Sequence, residues 1–283
     1  MRAVRKAIDL SGHGLRSTSQ SSLRSLAVQR NRSTKSTAPP PDSLGPRWLS
    51  EIKQRIGTCL TFGATEEQTH RAGLILSEVA RNWRELVVGS EGFLTDPTRR
   101  GIHRRGVIWG EMDSMGHVNN VMYNRYAESG RIEWAQKLAQ LDPENKKAWS
   151  TLFAPTEAGF ILRTITTEFK FPMRWPDHIS IYHKLHNEPT PDDAAIVLDV
   201  VVMSELHQRP AARLSEDILI YDYTRAKKIA LPKFMYSMFL ETWKLQEEAR
   251  RVNMEKGARI GEEVRRLEVE TWDREGAVED MGS

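Results

Sequence analysis

The sequence lacks the features of several functional classes. Its 283 residues include a single cysteine, Cys59, which excludes an intramolecular disulfide and a zinc site built on several thiolates. No apolar run approaches the ~18 residues that a membrane-spanning helix requires. The net charge of +3 gives nucleic-acid binding little support. A Gly-rich phosphate loop and a GxSxG nucleophile elbow are also missing. These absences predict a soluble globular protein without a membrane span or a nucleic-acid partner.

Acidic residues are scarce at the N-terminus. Residues 1–37 hold eight lysines and arginines against one acid, Asp9, with serines between them. This composition is typical of a mitochondrial transit peptide, although a disordered basic tail is the alternative. The prolines at 39–41 end the segment. We therefore expect residues 1–43 to be a targeting or disordered segment and the protein to act in the mitochondrial matrix.

Residues 44–101 predict a helical extension. The stretch PRWLSEIKQRIG places Trp48, Ile52 and Ile56 four residues apart, as in a short amphipathic helix. A second helix begins with Thr65 and Gln68 at the spacing of a capping box and ends near Gly89. Its expected apolar stripe consists of Leu74, Leu76, Val79, Trp83, Leu86 and Val87.

The pattern then changes to an α+β order. The stretch HRRGVIWGEMD predicts a strand, and NNVMYNRYAESGRIEWAQKLAQ predicts a helix with apolar positions Val121, Met122, Tyr126, Ile132, Ala135 and Leu138. Four strands are expected next, in GFILRTITTEFKF, HISIYHKLHN, AAIVLDVVVMSEL and RLSEDILIYDY. This order suits an antiparallel sheet around one long helix.

Residues 234–283 predict a long charged helix and a tail. Its candidate apolar positions are Phe239, Trp243, Leu245, Val252, Ile260 and Val264. The sequence leaves open whether this helix packs on its own sheet or on a partner.

Residues 102–233 carry a resemblance to a known family. The motif MDSMGHVNNVMYNRYAESGR, followed by TTEFKFPMRWPDHISIYHKL and DILIYDYTRAKKIALP, resembles the 4-hydroxybenzoyl-CoA thioesterase branch of the hotdog-fold acyl-CoA thioesterases, of a fungal mitochondrial type. The resemblance implies a curved antiparallel sheet around a central helix. It also implies a homodimer or a dimer of dimers with the active site at the interface. Glu111 stands where relatives often carry another aspartate.

The resemblance assigns roles within the motif. It places the catalytic aspartate at Asp113, which could attack the thioester carbonyl or act as base toward water. Gly116 allows a tight turn. Amides around Asn119 and Asn120 could polarise the carbonyl at a helix N-terminus, although both asparagines could instead be helix caps. His117 could orient water or assist proton transfer.

Other residues are weaker candidates. Tyr123 and Glu128 match positions that bind substrate in the family, but a pair of Glu128 and Arg131 is more often a surface or interface pair. Basic residues near the later strands could hold coenzyme A phosphates or be ordinary solvated side chains: Lys170, Arg174 and Lys184. A metal site at His183 and His186 is improbable because three residues along a strand place them on opposite faces.

The expected activity is hydrolysis of an acyl-CoA or acyl-carrier thioester, with acyl-CoA as substrate and without a metal or other cofactor. A second hypothesis is a non-catalytic hotdog module that serves as a binding or scaffold subunit of a mitochondrial complex. A hotdog dehydratase is a less favoured third.

Overall fold

The structure is a computed structural model that describes residues 43–279. The basic stretch of residues 1–42, and with it most of the predicted targeting segment, lies outside the described residues.

Two helices precede the sheet. They are α1 (Trp48–Thr61) and α2 (Glu66–Val87). The predicted capping box is confirmed, since the Gln68 N–H donates to Thr65 Oγ1 at 3.3 Å and the Thr65 N–H donates to Gln68 Oε1 at 2.9 Å. The buried face of α2 consists of Ala72, Ile75, Val79, Trp83 and Leu86. The prediction for Leu74 is wrong: it is 57% exposed, because the 3.6-residue period turns it away from Ile75 and Val79.

The sheet is antiparallel and runs in the order β1-β3-β4-β5-β2, with β6 paired to β5. Its strands are β1 (Arg105–Gly106), β2 (Ala158–Phe169), β3 (His178–Leu185), β4 (Ala195–Ser204), β5 (Arg209–Asp222) and β6 (Lys227–Lys228). The four long strands match the four predicted after the central helix. A β-bulge between Leu162 and Thr164 interrupts the pairing of β2 with β5.

The strand predicted in HRRGVIWGEMD is wrong over most of its length. Only Arg105 and Gly106 pair with β3. Arg104 adopts a left-handed φ of 53°, which breaks the ladder on one side. On the other side Trp109–Glu111 turn as a 3-10 helix, and the Glu111 carboxylate accepts the Ile108 N–H at 3.0 Å. A local side-chain bond to the backbone thus replaces the ladder here.

Helix α3 (Asn120–Leu141) lies against the inner face of the sheet. Its inward residues include Tyr126, Trp134 and Leu138, which meet strand residues of two apolar clusters. Val121 was expected in this stripe, but it is 62% exposed because it lies in the first turn, beside the capping loop. A short helix that was not predicted, α4 (Lys146–Ser150), follows and buries Trp149.

The extensions pack on the protein's own sheet. The long helix α5 (Lys233–Glu270) begins beside α3, where Phe239 stacks on Trp134. Its second half joins α1 and α2 over the outer face of β3 and β4, where Ile260 and Val264 belong to the same cluster as Tyr182. Leu245, an expected apolar position of α5, is 40% exposed.

Between these two halves, α5 passes the edge of β3. The Gln246 side chain accepts from the Leu185 N–H and donates to its carbonyl, so it covers that strand edge. A curled antiparallel sheet around α3, with an added outer layer of helices, confirms the predicted α+β hotdog arrangement. None of the helices between residues 43 and 279 is both long and apolar enough to cross a membrane.

Candidate active site

The loop between β1 and α3 folds back on itself. Met112 and Val118 form an isolated antiparallel bridge, and the Asp113 N–H donates to the His117 carbonyl at 2.7 Å. The Gly116 N–H closes the turn on the Asp113 carbonyl at 3.0 Å, with a left-handed φ of 72° at Gly116. The motif glycine therefore serves the tight turn that was predicted for it.

Asp113 presents one bonded and one free carboxylate oxygen. Oδ1 accepts the N–H groups of Met115 at 2.8 Å and His117 at 3.2 Å. Among the described residues, no donor bonds Oδ2 and no cation pairs with the carboxylate. The side chain is half-buried. It can therefore receive a proton or contact a carbonyl carbon through Oδ2 while Oδ1 holds it in place.

His117 is held by a cation. Its Nε2 lies 3.0 Å from a guanidinium nitrogen of Arg174. A guanidinium can only donate, so this contact fits the tautomer in which Nε2 accepts and Nδ1 carries the proton. Of the three basic residues considered for coenzyme A phosphates, only Arg174 reaches this loop. Lys170 bonds Glu168, and Lys184 bonds the Glu91 carbonyl.

The N-terminus of α3 lies directly after this loop. Asn119 caps the helix, since its Oδ1 accepts the Val121 N–H at 3.1 Å. Asn120 is exposed and, within residues 43–279, its backbone N–H forms no hydrogen bond. Capping is therefore the observed role of Asn119, while Asn120 offers a free donor at the positive end of the helix dipole.

Glu111 anchors the loop from beneath. It is 5% exposed, and its carboxylate accepts from Arg105 at 2.6 Å and from the Tyr126 hydroxyl at 2.7 Å, besides the Ile108 N–H. Burial alone would raise the pKa of Glu111, but these hydrogen bonds outweigh it and hold the pKa below its usual value. Glu111 is thus an ionised and fully bonded support rather than a free base. The motif placed an acid at this position, but the sequence did not show which residues bond it.

Tyr123 and Glu128 lie away from the loop surface. Tyr123 is 2% exposed, and its ring packs against Tyr126 and Phe169 in the inner core. Burial raises the pKa of its hydroxyl. Glu128 lies on the exposed side of α3, 3.4 Å from Arg125. Their roles in substrate binding stay predictions.

Arg131 does not form the expected surface pair with Glu128. It is 8% exposed and lies 2.6 Å from Glu216 of β5, which is fully buried. His183 of β3 lies 4.0 Å from the same carboxylate and stacks on Trp134. Burial, followed by the charge of Arg131, lowers the pKa of His183 to about 3. Burial raises the pKa of Glu216.

Large exposed apolar side chains lie around the Asp113 loop, and the motif alone does not indicate them. Trp109 is 71% exposed and meets Trp175 edge to face, with ring centres 5.9 Å apart. Met115 and Ile108 are also exposed. Trp109 stands directly before the polar motif in the sequence, and it could have indicated this exposed apolar surface. No group of three or more His, Cys, Asp or Glu side chains in the described part of the chain is arranged to hold a metal ion.

Part of the chain is similar to a known protein family. Residues 107–239 match the family model described as the Thioesterase-like superfamily. No curated protein matches the chain.

Among solved structures, similarity is found to a thioesterase from Thermus thermophilus complexed with coenzyme A and zinc. It shows 15% identity and a TM-score of 0.40 over 54% of this chain and 98% of the other. The hypothetical protein SAV2348 from Staphylococcus aureus, in complex with CoA, shows 12% identity and a TM-score of 0.43 over 52% and 85%. YbaW, a probable thioesterase from Escherichia coli, shows 19% identity and a TM-score of 0.39 over 50% of this chain and 96% of the other.

The structural likenesses are distant, whereas the family model covers the Asp113 loop, α3 and all the long strands. The matched segment, 133 of the 283 residues, is similar to the Thioesterase-like superfamily, and its antiparallel sheet around α3 has the hotdog arrangement.

Proposed function

We propose that the protein hydrolyses acyl-CoA thioesters, with Asp113 as the catalytic carboxylate and the first turn of α3 as the site of the carbonyl oxygen. One observation carries the proposal: Asp113 is half-buried, has no cation beside it among the described residues, and leaves Oδ2 free while two amides fix Oδ1. We further propose that the chain belongs to the 4-hydroxybenzoyl-CoA thioesterase branch that its motif resembles.

Two routes use the same carboxylate. In the first, Oδ2 takes a proton from water as the water oxygen bonds to the acyl carbon. The C–S bond then breaks, and the leaving thiolate takes that proton. In the second, Oδ2 itself bonds to the acyl carbon and the thiolate leaves. Water then cleaves the mixed anhydride and restores the carboxylate.

Both routes place negative charge on the carbonyl oxygen. The free N–H of Asn120 is positioned by the Asn119 cap and lies at the positive end of α3. A donor of this kind typically contributes ~10² to 10³ in rate. His117 holds its Nε2 toward Arg174, so Nδ1–H is the ring donor left for substrate or water.

The direct test is Asp113→Asn, assayed by release of free coenzyme A thiol from acyl-CoAs of several chain lengths. Because the amide keeps the Oδ1 bonds but cannot take a proton, we expect kcat/KM to fall at least ~10²-fold. The matched control is Asp192→Asn, which changes the same charge at an exposed loop position. Equal activity of the Asp113 and Asp192 variants would remove Asp113 from the mechanism.

A second candidate is the non-catalytic scaffold subunit. The observation that favours it is the outer layer, in which α1 and α2 lie wholly outside the matched segment and α5 lies mostly outside it. The same thiol assay separates the two functions. Inactivity of the full-length wild type on all acyl-CoAs, with stable co-purification in a large mitochondrial assembly, would favour the scaffold.

We also propose that two copies pair through β2. This strand is 12 residues long and, among the described strands, bonds a neighbour on one side only. The strand itself carries the exposed apolar residues Leu162 and Phe169. Pairing would bury these side chains and satisfy the open backbone groups. Light scattering after size exclusion should give twice the chain mass, and Leu162→Lys should return the monomer.

The proposed location is the mitochondrial matrix. The support is the composition of residues 1–43, which are basic and poor in acids. Fusion of these residues to a fluorescent protein should direct the reporter into mitochondria. A diffuse reporter would argue against targeting and leave the enzymatic proposal unchanged.

A further inference from the structure

A small cavity lies where the N-terminal extension meets the turn between β4 and β5. It has a volume of about 130 Å³ and is lined by residues 44–50, Lys53, Val87 and residues 207–209. Most of its lining comes from α1 and the residues just before it, which lie outside the matched segment. A volume of this size holds about four waters at ~30 Å³ each, or one small polyatomic ion with less water.

The charged side chains lining this cavity are all basic. Arg47, Lys53 and Arg209 line it together with His207, and no acidic side chain of the described residues does. None of the three cations forms an ion pair with a carboxylate among residues 43–279.

Two of these cations are fixed by neutral groups. Lys53 Nζ donates to Gln208 Oε1 at 2.6 Å, which joins α1 to the β4–β5 turn. The Arg209 guanidinium lies over the Phe171 ring, 3.8 Å from its centre. Both contacts hold the cation without neutralising it, so the three basic residues that line the cavity keep their positive charges.

Backbone donors add to this charge. Helix α1 begins at Trp48 with no side-chain cap, and the N–H groups of Leu49 and Ser50 in its first turn form no hydrogen bond among the described residues. Both residues line the cavity. Free amides at a helix N-terminus favour an anion with several acceptor oxygens.

We infer that this cavity is a binding site for a phosphate group. A phosphate monoester carries about −1.5 to −2 charges at neutral pH and three acceptor oxygens, which matches three unpaired cations and two free amides. The ligand chemistry is the same whether the group is inorganic phosphate or the terminal phosphate of a nucleotide-type ligand such as coenzyme A. The inference concerns binding and does not depend on hydrolysis at Asp113.

The test is calorimetric titration of the full-length protein at fixed ionic strength with three probes: inorganic phosphate, coenzyme A, and dephospho-coenzyme A, which lacks the terminal phosphate. We expect at least one phosphate-bearing probe to bind. In Lys53→Met/Arg209→Met its affinity should fall at least about tenfold, since hydrogen bonds to charged groups contribute ~1.5–3 kcal/mol. Arg81→Met is the matched control, because it removes an exposed arginine outside this cavity.

The three probes distinguish free phosphate from the phosphate of a nucleotide-type ligand. Tight binding of inorganic phosphate alone supports a site for free phosphate. A preference for coenzyme A over dephospho-coenzyme A that disappears in the double variant supports a site for the nucleotide end. Equal affinities of the wild type and the double variant for every probe, or no binding of any probe, would overturn the inference. Neither outcome bears on the Asp113→Asn assay, which reports the hydrolysis separately.

Discussion

Helix α3 carries two polar clusters that differ in almost every physical respect. At its N-terminus, the Asp113 loop is open to solvent and leaves a carboxylate oxygen and an amide without a bond to any described residue. Three turns later, Arg131, Glu216 and His183 are sealed between helix and sheet. Solvent lets the first cluster keep free groups at low energetic cost, so they remain for a ligand. Burial ties the charges of the second cluster to one another, so it fixes how α3 sits on β5.

The largest expected effect on stability comes from the buried cluster of Arg131, Glu216 and His183. Arg131→Met leaves the Glu216 carboxyl buried without its cation, and should lower the free energy of unfolding by about 3–5 kcal/mol. Urea denaturation measures this loss. The double variant Arg131→Met/Glu216→Leu removes both charges and should recover most of it. A single variant that loses less than about 1 kcal/mol would show that the pair is not closed in solution.

The pH dependence of stability sharpens the comparison. His183 has a pKa of about 3 in the folded protein and 6.5 as its ordinary value, so the unfolded chain binds a proton first as the pH falls. Stability contributed by neutral His183 is therefore complete above pH 6.5 and is lost below it, by up to ~1.4 kcal/mol per pH unit.

The raised pKa of Glu216 acts in the opposite direction, because the folded protein takes up that proton first. The measured change in the free energy of unfolding with pH should therefore stay below ~1.4 kcal/mol per pH unit. Urea denaturation of the wild type and of His183→Gln between about pH 7.5 and 5 should show the stability advantage of the wild type shrinking as the pH falls. Parallel curves would contradict a buried neutral histidine.

The smallest expected effect on stability comes from the solvent-exposed Asp113 loop. Gly116 and Gly261 each have open space where a Cβ would lie, but only Gly116 has a left-handed φ. Gly116→Ala should cost ~1–2 kcal/mol from backbone strain alone, whereas Gly261→Ala in α5 should be neutral or slightly stabilising. Thermal unfolding compares the two variants. Equal effects would mean that the turn at Asp113 relaxes without the glycine.

Much of the fold could be predicted from local patterns. The capping box at Thr65, the four long strands and α5 depend on neighbours in sequence, and all are present. The predicted strand at β1 failed for a reason that local patterns do not contain. Glu111 and Arg104 end the strand predicted at β1 through a side-chain bond and a backbone angle that periodicity does not register.

The candidate site could be predicted in part. The motif led to Asp113, Gly116 and the Asn119 cap, because a turn and a cap are built from adjacent residues. The contact between His117 and Arg174 joins positions 57 apart, and the Trp109–Trp175 pair joins positions still further apart. Such contacts arise only when the loop before β3 folds beside the Asp113 turn.

The sequence by itself determined the element order, the turn at Gly116 and the carboxylate that it presents, since each depends on residues within a few positions of one another. Only the tertiary structure decided which charges are usable. Arg131, Glu111 and Asp113 are all charged residues of one motif region, yet the sheet buries and pairs the first two and leaves the third half-bonded at the surface. Burying an unpaired charge is costly, so the charges that the sheet buries must be paired and act as structural supports. The carboxylate of Asp113 stays at the surface and keeps an oxygen free for chemistry.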